Sequence, residues 1–307
     1  MGQVIRIGTR ESQLAVWQAT QVKELLGKSA IDSELVYIES EGDIDLVTPL
    51  YELGVQGIFS RTLDAALLNN RIDIAVHSMK DVPTVLAGGL QQAAVLKRGS
   101  YKDIFVYKES ADFLGQSDSL ATVATSSIRR IAQWLNRYPN HKIENLRGNV
   151  NTRLRKVKEN NWNGAIFAAA GLERIGLRPA NSIDLDWMLP APAQGAIMVV
   201  CREEDEFAFK ACQSFNDAET ALCTKIERDF LRKLLGGCST PISALAVVKE
   251  GQLLFKGNIL SIDGKEKLGI EKTASVDEAG SIGIEAAEEL LMKGGQSIAD
   301  GIRNASN

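Results

Sequence analysis

The sequence predicts an α/β protein built from two α/β units of similar design and a small α+β unit at the C-terminal end. Three observations carry this. Short runs rich in Ile, Val and Ala alternate with amphipathic helical segments from Val4 onward. The same β-α-β rhythm begins again at Asp103. The last third changes character, with one long helix and strands joined by turns at Gly251 and Asp263-Gly264.

In chain order, residues 4–8 read as a strand and Ser12 caps the helix after it, whose Ala15, Ala19, Val22 and Leu26 share one face. Residues 34–39 alternate as a strand, 59–68 are helical and 72–77 form a strand. This order argues for a mainly parallel sheet with flanking helices. In the second unit, 103–107, 121–124, 142–146 and 164–168 read as strands. Residues 126–136 read as a helix capped by Thr125 or Ser126, and 150–158 as another. After Pro190-Ala191-Pro192, 195–201 is a further strand. Residues 217–235 form a long helix stopped by Gly236-Gly237. Strands at 243–249, 253–259 and 265–272 follow, then an amphipathic helix over 277–292.

The 307 residues carry a formal charge of −4, with 45% hydrophobic and 24% charged side chains, an ordinary globular balance. An acidic chain without a polybasic tail argues against nucleic acid or a membrane surface as partner. No run approaches the ~20 apolar residues of a membrane span. The N-terminal residues lack the order of a signal peptide, so a cytoplasmic location is expected. Cys201, Cys212, Cys223 and Cys238 form no C-x-x-C pair, and the only histidines are His77 and His141. No metal site and no Ser/His/Asp triad is expected on this stock. Acid–base chemistry then falls to carboxylates or lysines.

One stretch departs from the acidic total. From Thr125 to Asn160, nine Lys/Arg stand against two Glu, a local +7. Arg129, Arg130, Arg147 and Arg153 lie at two strand-to-helix junctions. Arg137, Lys142, Arg155, Lys156 and Lys158 read as a solvated face.

Three segments are candidates for chemistry. His77-Ser78-Met79-Lys80-Asp81 closes a buried strand, where ligands gather in open α/β sheets. It offers a hydroxyl, a cation and a carboxylate; it also fits a strand end with a local Lys–Asp pair. Thr125-Ser126-Ser127 with Arg129-Arg130 combines a helix N-terminus with forked donors suited to carboxylates or phosphates. Arg147-Gly148-Asn149 and Arg153 repeat the theme, and simple capping would explain either junction alone. Two in succession point to a ligand with several carboxylates. Gly236-Gly237-Cys238 gives a thiol that another group can approach closely, although a free cysteine is more often an inert core residue.

Taken together these stretches resemble the porphobilinogen deaminase (hydroxymethylbilane synthase) family. The landmarks are Thr9-Arg10-Glu11-Ser12-Gln13-Leu14-Ala15, Gly57-Ile58-Phe59, and Ile74 to Pro83. Next come Thr125 to Arg130, Leu146 to Leu154, Gln194-Gly195-Ala196 and Gly236 to Ile242. The resemblance implies two domains similar to type II periplasmic binding proteins and a small α+β domain. Their boundaries would be 1–97 with 196–216, then 98–195, then 217–307.

The resemblance also implies a transferase of tetrapyrrole (heme-type) biosynthesis and a monomer. Four porphobilinogen molecules are deaminated and joined head to tail into 1-hydroxymethylbilane. A dipyrromethane cofactor, held by a thioether to Cys238, primes the chain. Asp81 is the implied catalytic group, hydrogen-bonding the pyrrole N–H and stabilising the cation left as ammonia departs. Arg10, Arg129, Arg130, Arg147, Arg153 and Arg174 are the implied carboxylate clamps. Ser12, Ser78, Lys80, Thr125, Ser126, Ser127, Asn149 and Gln194 assist them, and Phe59 stacks near the rings. Some positions depart from the family pattern: Gln56, Arg61-Thr62, Ala124, Ala193 and Ser243. The alternative is a non-catalytic two-lobed anion-binding protein, which needs neither Cys238 nor the Lys80-Asp81 pair.

Overall fold

The structure, a computed structural model, describes residues 4–39, 60–116, 118–234 and 240–305. It contains three sheets. The first is formed by β1 (Ile5–Thr9), β2 (Ser33–Tyr37), β3 (Ile74–Ser78) and β4 (Leu90–Val95). The second holds β5 (Asp103–Tyr107), β6 (Thr122–Ala124), β7 (Lys142–Glu144), β8 (Gly164–Ala168) and β9 (Ser182–Asp184) in the order β7-β6-β8-β5-β9. The chain then returns to the first sheet as β10 (Ile197–Arg202), making its order β2-β1-β3-β10-β4.

The mainly parallel sheet expected from the β-α-β rhythm is therefore mixed. β1 is parallel to β2 and β3, whereas β10 is antiparallel to both its neighbours. A crossover helix forces parallel pairing. β10 arrives from the other unit, free of that constraint.

Helices cover both faces of the first sheet. In α1 (Gln13–Lys28), Ser12 Oγ accepts from the N–H of Ala15 at 3.4 Å, and Gln18, Ala19, Val22 and Leu26 are buried. Ala19, Val22 and Leu26 meet Ile5, Ile7, Ile74 and Val76, together with Cys212 of α6, defined below. Burying one Leu or Val fully stabilises by about 1.5–3 kcal/mol. α2 (Arg61–Leu68) covers the opposite face with Leu63 and Leu67.

In the second unit, α3 (Ile128–Arg137) buries Trp134 against Phe105, and α4 (Val150–Glu159) buries Val157 on the other side. Neither Thr125 nor Ser126 caps α3. Its N-cap is Ser127, without a side-chain capping bond. Thr125 Oγ1 accepts from the Ser127 N–H, and Ser126 Oγ accepts from the Leu146 N–H at 2.9 Å. The Ser126 hydroxyl thus serves the neighbouring strand-end loop instead.

The third sheet, β11 (Ile242–Lys249), β12 (Gln252–Leu260) and β13 (Lys267–Ser275), is antiparallel throughout. α5 (Ala169–Glu173) and α6 (Glu206–Gln213) were not expected, nor were β4 and β9; all are short and lack clear periodicity. α7 (Ala218–Leu234) packs on the third sheet, its Phe230 ring 5.2 Å from that of Phe255. Gly257 permits this, since a Cβ there would lie 2.6 Å from the Phe230 ring. The single helix expected over 277–292 is a 3-10 turn followed by α8 (Ile282–Leu290). A kink at Gly294, φ 107°, separates α8 from α9 (Gln296–Ala305). The glycine stop at 236–237 lies outside the described residues.

Candidate active site

The described candidates of the first unit lie at or just beyond the carboxyl end of a strand. Arg10 and Ser12 come after β1; Lys80 and Asp81 follow Ser78, the last residue of β3, in a 3-10 turn, Met79–Asp81. A cleft brings Arg10, Ser12, Gln18, His77, Ser78 and Asp81 together. Asp81 is exposed. Gln18 Nε2 donates to Ser78 Oγ at 2.9 Å, a partner that sequence spacing did not reveal. His77 also lines the cleft; burial, with Arg10 nearby, pulls its imidazole down to about 4, so it is neutral at neutral pH.

The second unit supplies arginines at two junctions, as their positions after β6 and β7 predict. Arg129, Arg130 and Arg147 are buried, whereas Arg137, Lys142, Arg155 and Lys158 are exposed and Lys156 is half-buried. What the sequence did not disclose is Asp103, fully buried at the start of β5. Arg129 Nη2 donates to its Oδ2 at 2.6 Å, and Arg130 Nη2 to its Oδ1 at 2.7 Å. Burial alone would raise the Asp103 carboxyl, but Arg129 and Arg130 hold it far below the usual carboxylate range. Arg129 Nη1 donates to Leu189 O, and Arg130 Nη1 to Ile166 O. A guanidinium carries five donors. These bonds therefore aim both forks without exhausting them.

Gln194 joins the two units. Its Nε2 donates to Asp103 Oδ1 at 2.9 Å and its Oε1 accepts from Lys80 Nζ at 3.3 Å. Lys80 is half-buried. Burial lowers its ammonium to about 8; Asp81 opposes and Arg130 reinforces that shift. Arg153 donates through Nε to Gly148 O at 2.7 Å. Burial and then the positive charges of Arg130, Arg147 and Arg10 pull its guanidinium down to about 10, with Asp81 opposing. Residues from both units thus share one electrostatic site with a surplus of positive charge.

Other candidates do structural work at its edge. Asn149 Oδ1 accepts from the N–H of Thr152 at 3.0 Å and caps α4. Arg174 Nη2 donates to Gly195 O at 2.6 Å, and its guanidinium stands 5.8 Å from the centre of the Trp17 ring. Ser126 Oγ also donates to Leu146 O at 2.7 Å. Ser127 is half-buried at the N-cap of α3. Phe59 and Cys238 lie outside the described residues. Burial raises the thiols of Cys201, Cys212 and Cys223 to between about 11 and about 12, unsuited to nucleophilic work. Among the described residues no group of His, Cys, Asp and Glu could hold a metal, and no helix is long and apolar enough to cross a membrane.

Comparison with known proteins adds direct evidence. The model of the porphobilinogen deaminase dipyromethane cofactor binding domain matches residues 5–210, and that of the porphobilinogen deaminase C-terminal domain matches 221–292. A porphobilinogen deaminase of Carboxydothermus hydrogenoformans is 40% identical, covering 100% of each chain. One of Syntrophomonas wolfei is 41% identical, covering 96% of this chain and 97% of its own. Among solved structures, the methionine binding protein MetQ is similar at a TM-score of 0.44 and 15% identity, over 71% of this chain and 92% of its own.

Proposed function

The chain belongs to the porphobilinogen deaminase family, and from that premise we propose how its residues divide the family's reaction. That reaction is the deamination and head-to-tail joining of four porphobilinogen molecules into 1-hydroxymethylbilane, primed by a dipyrromethane cofactor. The observation that carries the assignment is the cleft in which Arg10, Ser12, Ser78 and Asp81 meet. Lys80, beside Asp81, is joined through Gln194 to the Asp103 carboxylate that Arg129 and Arg130 grip, which gathers several cations around one exposed acid. Such a cluster asks for anionic ligands, and every porphobilinogen unit brings two carboxylates. The residues fit the cofactor for the same reason: cations for its carboxylates and one exposed carboxylate for its pyrrole N–H groups.

When bound, the cofactor supplies the nucleophilic ring carbon that starts the chain. The chain's own residues do the rest. Arg10, Arg147 and Arg153, with Lys80, Ser12 and Ser78, hold the acid side chains. Arg129 and Arg130, braced by Asp103, present their outer N–H edges to the same ligand. Asp81 accepts the pyrrole N–H and faces the positive charge that develops on the ring as ammonia leaves. A fixed carboxylate opposite a developing cation is electrostatic transition-state stabilisation. Cys238 forms the thioether. We further assign 1–97 with 196–216, 98–195 and 217–307 as three domains of a cytoplasmic monomer. The pairing of β10 within the first sheet supports that division.

Intact mass spectrometry tests the reading. Purified protein should exceed its sequence mass by two linked pyrrole units, and Cys238→Ser should not. Folded protein of bare sequence mass that gains nothing from porphobilinogen would overturn the cofactor assignment.

A further inference from the structure

The 3-10 turn Met79–Asp81 closes with the Val82 N–H donating to Met79 O at 3.2 Å. A side chain from the third unit also grips the backbone on either side of it. Arg228, buried on α7, donates to the carbonyl oxygens of Met79 at 3.3 Å, Val82 at 2.9 Å and Pro83 at 2.6 Å. These carbonyls stand on both sides of Lys80 and Asp81. The Met79 N–H donates to Ala196 O at 3.1 Å, so the turn is also held by the segment entering β10. Asp81 itself is exposed, and its place is set by the backbone that carries it.

A planar guanidinium can meet several carbonyls in fixed directions, which an ammonium point charge cannot do. We infer that Arg228 is a positioning residue for the reaction at Asp81, fixing the backbone of the Lys80–Asp81 turn from the third unit. The inference rests on the role proposed above for Asp81. It also gives α7 a second task. Besides packing on the third sheet, the helix carries Arg228 to the turn and ends, as described, at Leu234, four residues before Cys238 in the sequence.

Arg228→Lys and Arg228→Gln test this as purified holoenzymes beside Asp81→Asn and wild type. The measurements are kinetics on porphobilinogen, intact mass and thermal unfolding. Both Arg228 variants should keep the mass of two linked pyrroles and a KM within about threefold of wild type. Their kcat should fall about 10-fold for Lys and about 100-fold for Gln, the scale of a reacting group misplaced by an ångström. In the Asp81→Asn background, Arg228→Lys should add less than about twofold, since both act through one carboxylate. Wild-type kcat in folded Arg228 variants overturns the inference, whatever their melting points. Failure of both variants to fold also overturns it, assigning Arg228 to folding alone. Wild-type turnover in Asp81→Asn overturns the reading of Asp81 and this inference with it. An inactive Asp81→Asn beside normal Arg228 variants overturns this inference alone.

Discussion

Glu227, with no exposed surface, receives both Nη nitrogens of Arg98, at 2.6 and 3.0 Å. Its oxygens also accept the backbone N–H of Ala193 at 2.6 Å and of Ala246 at 2.7 Å. One carboxylate therefore ties the segment after β4, the segment before β10 and strand β11. Removing one member of a buried pair leaves the other charge uncompensated, at a cost of about 3–5 kcal/mol. Glu227→Gln should lower the urea midpoint strongly. An unchanged midpoint would show that the three segments hold together without it.

Arg129 and Arg153 should separate stability from binding. Arg129→Ala leaves a void beside Asp103 and removes one of its two ion pairs, so it should destabilise by about 3 kcal/mol. Arg153 is crowded by like charges. Arg153→Ala should change stability by less than about 1 kcal/mol while raising KM for porphobilinogen at least tenfold. Equal losses of melting temperature in the two variants would contradict the contrast.

Lys80 sets a pH dependence. Burial brings its ammonium to about 8, so the charge is present below that pH and lost above it. KM should rise as pH climbs through about 8, because a neutral amine no longer attracts carboxylates. Lys80→Gln should show a higher KM at every pH and no such rise. A wild-type KM that stays flat between pH 7 and 9, as initial-rate kinetics would reveal, would remove Lys80 from the clamp.

Ser243 stands where the family pattern usually has glycine, and its hydroxyl accepts from Gln133 Nε2 at 3.0 Å in a buried contact between β11 and α3. Ser243→Gly should cost about 1 kcal/mol, the net worth of a buried hydrogen bond, and leave kcat unchanged. A thermal midpoint equal to that of the wild type would mean that the contact adds nothing.

Much of the site was legible because strand ends and helix starts leave a local signature. The buried run ending at Ser78, followed by Lys80 and Asp81, announces a strand edge with charged groups beyond it. The arginines after β6 and β7 likewise sort into buried and exposed sets by their position at a junction. Their partners were not legible. Asp103 is 26 residues from Arg129, Gln18 is 60 from Ser78, and Arg228 is 146 from Val82. No local pattern links such pairs, because only the closed fold removes them from water and makes their hydrogen bonds obligatory.

The sequence by itself determined the α/β rhythm, the family and the residue types that a polycarboxylate ligand requires. Periodicity and motif order are properties of neighbouring residues, and neighbours are what a chain specifies directly. Tertiary structure alone decided that β10 enters the first sheet antiparallel, that Asp103 braces two arginines, and that a helix of the third unit holds the turn bearing Asp81. Each of these depends on buried polar groups finding partners far along the chain, and that demand exists only once packing has excluded solvent.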